Sequence, residues 1–263
     1  MEVIICPTED RVAEVAAAKA AKLAQAIGPR VVFGVATGSS PVKTYVELAK
    51  LVAAGELDLS EASAFALDEY IGIPKGHPES YHEVINRTVT VPLGLDPARV
   101  HVPNGFAEDL STAGEAYETA IRDAGGVDIQ FLGVGSNGHI GFNEPTSSLS
   151  SRTRIKTLAA STRADNARFF DSIDDVPMHC LTQGLGTILD ARNVVLMATG
   201  ASKADAIAAV IEGPITSMWP GSVLQLHQHA TLVIDEAAAS KLAMREYYKE
   251  TYAHLPDWQR LEI

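Results

Sequence analysis

Apolar residues in this chain fall into two alternating patterns. Short unbroken runs rich in β-branched residues are separated by longer stretches in which apolar positions recur every three or four residues. The run "VVFGVA" at residues 31–36 has no polar alternation, as expected of a strand covered on both faces in a parallel sheet. Similar runs at "SAFAL" (63–67), "VDIQFLGVG" (127–135) and "ATLVID" (230–235) predict further strands. Between them lie helical stretches. The alanine-rich residues 8–28 open on a hydroxyl with acids in the first turn and stop at Gly28. After "VVFGVA", Ser40 reads as an N-cap, Pro41 suits the first helical position, "VKTYVELAKLVAA" carries the period and Gly55 ends it. The same grammar recurs over residues 193–213, and a last helix follows the strand at 230–235. Apolar strands alternating with amphipathic helices predict an α/β fold, a modified Rossmann-like and mostly parallel central sheet with helices on both faces. No low-complexity linker, charge block or solenoid repeat divides the chain, so residues 1–263 are read as one domain.

Composition narrows the function classes. A chain of 263 residues can bury about three quarters of the surface it exposes unfolded. Apolar residues make up 46% and charged ones 21%, which excludes a disordered chain. The balance of 21 basic and 33 acidic residues, net −12, argues against nucleic acid and anionic membrane surfaces as partners. An anionic ligand then needs a local cationic patch, and Arg152, Arg154, Lys156, Arg163 and Arg168 form the one cluster in the sequence. Cys6 and Cys180 have neither zinc nor redox spacing and read as core thiols of a cytoplasmic protein. The N-terminus lacks a signal pattern, and no window reaches the length of a membrane span.

In a parallel α/β sheet, ligands bind beyond the carboxyl ends of the strands, so the residues after each run are the candidate site. "ATGSSPVK" offers the backbone N–H groups and hydroxyls of Thr37, Gly38, Ser39 and Ser40 at a helix N-terminus, which suits a phosphate or an ordinary capped turn. "FALDEYIG" puts Asp68 and Glu69 at a strand end, where burial would raise a carboxylate pKa and make it a better base; a solvated acidic turn has the same sequence. "GVGSNGHIGFNEP" (133–145) has glycines at dinucleotide-fingerprint spacing, but no helix opens at Gly138 and no acid stands about 20 residues further on. Instead it brings an amide (Asn137), an imidazole (His139) and a carboxylate (Glu144) into one glycine-rich loop. Pro145 restrains Glu144 to an extended conformation. A histidine flanked by glycines with an acid nearby is a candidate general acid or base. His139 and Glu144 lack helical ligand spacing, and His227 and His229 alternate as strand neighbours with no third ligand, so no catalytic metal is expected. No serine-hydrolase elbow is present.

Taken together, "ATGSSPVKTY", "LDEYIGIPKGHPESYH", "GVGSNGHIGFNEP", "SSRTRIKTL" and "RADNARFF" resemble the glucosamine-6-phosphate deaminase family, over about residues 1–250. The resemblance implies conversion of glucosamine 6-phosphate and water to fructose 6-phosphate and ammonia, in amino-sugar catabolism, with no cofactor. By the same resemblance His139 would open the sugar ring, Glu144 would orient it, and Asp68 would carry a proton from C2 to C1. Arg168 and Lys203 would join Thr37 to Ser40 on the phosphate. Many members have aspartate where this chain has Asn137, and an amide gives an imidazolium no charge stabilisation; Asn137 is expected to hold His139 by a hydrogen bond, leaving Glu144 as the nearby charge. Some members are hexamers activated by N-acetylglucosamine 6-phosphate. Ser147, Ser148, Arg154 and Lys156 match the residues used there, either as an effector site or as a structural loop in a monomer, while "MREYYKETY" aligns poorly with the effector tyrosine. Two other functions are compatible with such a fold: a 6-phosphogluconolactonase-like hydrolase, and a sugar-phosphate sensor. The second would need a DNA-binding segment for which this chain has no room ahead of its first strand.

Overall fold

The computed structural model describes residues 1–74 and 76–261. Its strands are β1 (Glu2–Cys6), β2 (Val32–Val35), β3 (Ser63–Ala66), β4 (Asp68–Tyr70), β5 (Val100–His101), β6 (Ile129–Leu132), β7 (Arg154–Thr157), β8 (His179–Thr182), β9 (Asn193–Ala198) and β10 (Ala230–Asp235). The α-helices are α1 (Glu9–Ile27), α2 (Ser39–Ala53), α3 (Tyr81–Ile85), α4 (Leu110–Asp123), α5 (Ala160–Asn166), α6 (Leu185–Leu189), α7 (Ala204–Ile211) and α8 (Arg245–Ala253). Seven strands form a parallel sheet in the order β1-β10-β9-β6-β2-β3-β5. Successive residues of one strand feed cores on opposite faces: Val32, Leu132, Val194 and Leu196 on one, Phe33, Phe131, Val195 and Met197 on the other. Burial on both sides is why these strands read as unbroken apolar runs.

The expected helix α1 is capped at Thr8, whose side chain accepts from the Arg11 amide at 3.2 Å, and ends at Gly28 with φ 103°. Helix α2 departs from expectation. Gly38 is its N-cap and Ser39 and Ser40 already lie in the first turn; no side chain caps it. Pro41 is tolerated there because the first-turn N–H groups have no intrahelical acceptor to lose. His227 and His229 are likewise not strand residues. Buried His227 faces the Ala191 carbonyl at 2.7 Å through Nε2 and accepts the His229 amide at 3.0 Å on Nδ1, so the pair closes a turn before β10.

A second, antiparallel sheet of order β4-β8-β7 was not legible as strands. The chain passes from one sheet to the other at Leu67: β3 ends at Ala66 and Asp68 opens β4, opposite Thr182 of β8. In the main sheet, β2, β3 and β5 extend one way from the centre while β6, β9 and β10 extend the other. The reversal falls between β2 and β6, and a parallel α/β sheet has its ligand crevice at the carboxyl end of such a switch.

Candidate active site

Asp68 leaves the main sheet beside this crevice. It is 6% exposed, and burial, with the Glu69 charge adding to it, pushes its carboxyl up to about 8. Adjacent Glu69 is also buried, and burial raises its carboxyl too, but it is held differently: it accepts backbone N–H groups from Tyr70 at 2.8 Å, Tyr81 at 2.9 Å and His82 at 2.9 Å. Glu69 therefore pins α3 to β4, while Asp68 is the carboxylate poised to exchange a proton near neutrality.

The loop after β6 is folded by its glycines. A Cβ on Gly135 would lie 2.2 Å from the His139 ring, and Gly138, at φ 78°, has Trp219 against the place a Cβ would take. The loop closes through Gly135 N–H to the His139 carbonyl at 2.9 Å. The Asn137 carbonyl oxygen then lies 2.7 Å from His139 Nδ1 and 3.2 Å from the His139 amide, while its Nδ2 donates to Glu144 at 2.7 Å. An amide oxygen cannot donate, so Nδ1 carries a proton, and in the neutral form of the ring the lone pair is on Nε2. The expected Asn137–His139 contact is present. Glu144 is buried, which would raise its carboxyl. The stronger opposing effects of His139, the Thr162 hydroxyl and Asn137 hold it down at about 2. It is an ionised anchor 3.7 Å from His139 Nδ1.

Thr37 to Ser40 lie at the start of α2, across the switch point: a Cβ on Gly133, at the start of the β6 loop, would be 3.7 Å from Pro41. Gly38 has an ordinary φ of −63°, and a Cβ there would meet only Pro41 at van der Waals distance, so no unusual dihedral requires glycine at this cap. Burial lowers the Lys203 ammonium; Asp165 opposes this and Arg168 adds to it, so the two cations expected on a phosphate lie within each other's field. Asp235, at the end of β10, holds the turn before Lys203 by accepting the Gly200 amide at 2.9 Å and the Ala238 amide at 2.7 Å.

The basic cluster of the sequence is not one patch. Arg152 pairs with buried Glu118 and with Asp190, at 2.5 and 2.6 Å. Arg163 donates to the Val176 and Ile173 carbonyls. Arg154 donates to Asn143 Oδ1 at 2.7 Å, and Lys156 shares its face of β7. Ser147 is buried with its hydroxyl unpartnered, and Ser148 is exposed beside Ser150. Cys6 and Cys180 are buried free thiols, both raised by burial, Cys6 to about 11. Sequence reasoning did not single out Thr162, Asn143, Thr182 or Asp235, each of which has a partner far along the chain. Among the described residues no helix is long and apolar enough to cross a membrane, and no three His, Cys, Asp or Glu side chains gather as a metal site.

A parallel α/β sheet whose switch point presents a near-neutral carboxylate, a tautomer-fixed imidazole and a hydroxyl-lined helix start is the architecture of an enzyme that works by proton transfer on a small anionic substrate. More particularly, the chain belongs to the glucosamine-6-phosphate isomerase/6-phosphogluconolactonase family, whose model matches residues 7–233. It is 61% identical to a glucosamine-6-phosphate deaminase of Cutibacterium acnes, over 95% of this chain and 96% of that one. A solved monomeric glucosamine-6-phosphate deaminase, 41% identical, covers 92% of this chain and 100% of its own at a TM-score of 0.88. The 6-phosphogluconolactonase of Trypanosoma brucei, 18% identical over 92% of this chain and 98% of its own, has a TM-score of 0.73 and so shares the fold.

Proposed function

We infer that this chain is a glucosamine-6-phosphate deaminase, working as one α/β domain on the amino-sugar phosphates of the cytoplasm. The observation that carries the reading is a division of labour at the switch point. Asp68 is a buried carboxylate pushed up to about 8, and His139 is an imidazole whose Nδ1 is held by the Asn137 carbonyl oxygen, leaving Nε2 for the substrate. The deaminase relatives, matched along nearly the whole chain, supply the substrate.

The phosphate is held by Thr37, Gly38, Ser39 and Ser40 with Arg168 and Lys203, which fixes the sugar over the base and removes orientational entropy from the barrier. His139 Nε2 takes the anomeric hydroxyl proton and returns it to the ring oxygen. The bond from C1 to that oxygen breaks and an aldehyde forms. Asn137 and Glu144 keep the imidazole in the tautomer and orientation this needs. Asp68 then removes the C2 proton; the C–H pair becomes the C1–C2 double bond, and the ammonium at C2 passes a proton to O1 to give the enolamine. Asp68 returns its proton to C1 while the nitrogen lone pair forms an iminium at C2. Water adds there, and ammonium leaves as the ketone of fructose 6-phosphate forms.

For the second basic set, the same reading extends to N-acetylglucosamine 6-phosphate as an anionic effector at Ser147, Ser148, Arg154 and Lys156, in a homo-hexamer, or to a monomer that lacks this control. Sedimentation with and without that compound separates the two.

Incubation of the protein with glucosamine 6-phosphate is expected to release ammonia and fructose 6-phosphate one to one. In heavy water, C1 should retain much of the original C2 hydrogen, because one carboxylate carries it. No ammonia, with hydrolysis of 6-phosphogluconolactone instead, would overturn the reading in favour of the hydrolase.

A further inference from the structure

The loop bearing His139 and Glu144 is attached to the strand bearing Asp68 through β8, at two points. Thr182, fully buried, stands opposite Asp68 in the β4–β8 register. Its hydroxyl accepts the Phe142 amide at 3.1 Å. One residue on, the Gln183 amide donates to the Leu67 carbonyl at 2.8 Å, and the Gln183 carbonyl accepts from Asn143 Nδ2 at 2.8 Å. Asn143 is fully buried and satisfied on every side: Nδ2 also donates to the Ile140 carbonyl at 2.9 Å, and Oδ1 accepts from Arg154. Immediately before the two attachments the loop passes close to the base. A Cβ on Gly141, which sits at φ 54°, would lie 3.2 Å from Thr182 Oγ1 and 3.7 Å from Asp68 Oδ2.

We propose that Thr182 is a positioning residue for this reaction: its hydroxyl, seated opposite Asp68 and bonded to the Phe142 amide, sets the separation of the proton-transfer carboxylate and the ring-opening imidazole. The inference rests on the deaminase reading. Phe142 is three residues from His139 and two from Glu144, so the Thr182 bond is the nearest tie from the imidazole's loop to the base's strand partner. The Asn143 bond to Gln183 is a second tie, on backbone that no side-chain change at Thr182 removes. Loss of the hydroxyl therefore loosens the loop without releasing it. A misplacement of about 1 Å between catalytic groups can cost about a hundredfold in rate. The phosphate anchor, built on α2 and the turn after β9, has no part in this tie.

The test is Thr182→Val, which keeps the shape and removes the acceptor, with Thr182→Ser, which keeps the acceptor. In Thr182→Val, kcat is expected to fall about tenfold to a hundredfold, with the KM for glucosamine 6-phosphate within about threefold of the parent. Thr182→Ser should restore most of kcat, and hydrogen exchange at the Phe142 amide should quicken in the valine variant alone. A valine variant with unchanged kcat, or a serine variant as impaired as valine, overturns the proposal. If valine prevents folding, the serine variant decides: a large loss of kcat in it overturns the role of the hydroxyl, and near-parental kcat supports it. If the parent itself releases no ammonia, the deaminase reading falls. Phe142 exchange then still decides whether Thr182 ties down the loop, and no quickening overturns that too.

Discussion

The two sides of the crevice are built in different ways. On the side proposed to anchor the phosphate, Thr37 to Ser40 and the turn before Lys203 are strand-to-helix junctions whose positions follow from local chain order. They sit at the sheet's carboxyl edge because the run before them is a buried strand. On the chemical side, Asp68 depends on β8 and on Glu69's hold on α3, and His139 depends on Asn137, Glu144 and residues of the small sheet. The difference teaches where precision is needed. A phosphate is a large, symmetric charge that several donors can hold in many arrangements, whereas proton transfer demands near-contact geometry. The local side can tolerate more change than the non-local one.

The strongest way to break this contrast is Asp68→Asn. It is expected to lower kcat by about a thousandfold or more, because general-base catalysis is lost outright. Stability should move the other way. Asp68's folded value of about 8 lies above the roughly 4 of an unfolded aspartate, so the folded state holds its proton longer. That stabilising contribution is full below about pH 4 and is lost as pH rises towards 8, at up to about 1.4 kcal/mol per pH unit. The parent's melting temperature should therefore fall more steeply than that of Asp68→Asn across this window. Its kcat/KM should fall on acidification below about pH 8, since in the proposed mechanism the ionised carboxylate takes the C2 proton. Parallel melting profiles would show that Asp68 is not the poised group.

Lys203→Ala addresses the anchoring side. KM should rise by about tenfold to a hundredfold while kcat changes by less than about tenfold. A fall in kcat at constant KM would erase the contrast, since the anchor would then be acting on transition-state geometry. Asn137→Asp is a finer probe. Aspartate would place a second carboxylate against Glu144 and next to His139 Nδ1, in place of the amide that now bridges them. Added negative charge favours the imidazolium, so the histidine-dependent limb of the pH–rate profile should move to higher pH, with kcat reduced by about tenfold or less. An unchanged profile would sever the Asn137–His139 link.

How much of this was legible follows the same division. Strand β10 and the helix from Glu9 coincide with the apolar patterns, and Asp68 was singled out because it follows an apolar run. The small sheet was not, for physical reasons. Strand β4 has three residues, β7 reads "RIKT" with alternating burial and two cations, and β8 reads "HCLT". None carries a periodic signal long enough to separate it from loop, and their pairing joins distant stretches, as the register of Asp68 with Thr182 shows. Ser40 misled as a cap because a hydroxyl before proline is a valid start signal, and the helix begins two positions earlier, with Gly38 as its N-cap. Thr182 and Asn143 carry no sequence signature: a buried Thr or Asn becomes functional only through the loop it happens to meet.

The smallest expected effect belongs to a purely local device, and it bounds the comparison from below. Thr8 caps α1 with one hydrogen bond to the Arg11 amide; the neighbouring Glu9 reaches Thr199 on the anchoring side, whereas the Thr8 bond itself stays within the helix's first turn. Thr8→Ala should cost about 1 kcal/mol, which in a domain of this size lowers the melting temperature by about 2–4 °C. Activity at room temperature should be that of the parent. Global destabilisation of this order, applied far from β8, thus provides the control for Thr182→Val: the two variants can be brought to similar stability, and only the valine should lose kcat. If Thr8→Ala lost kcat in equal measure, loop position would be a readout of overall stability, and the distinction between a tolerant anchor and an exacting proton-transfer side would fail.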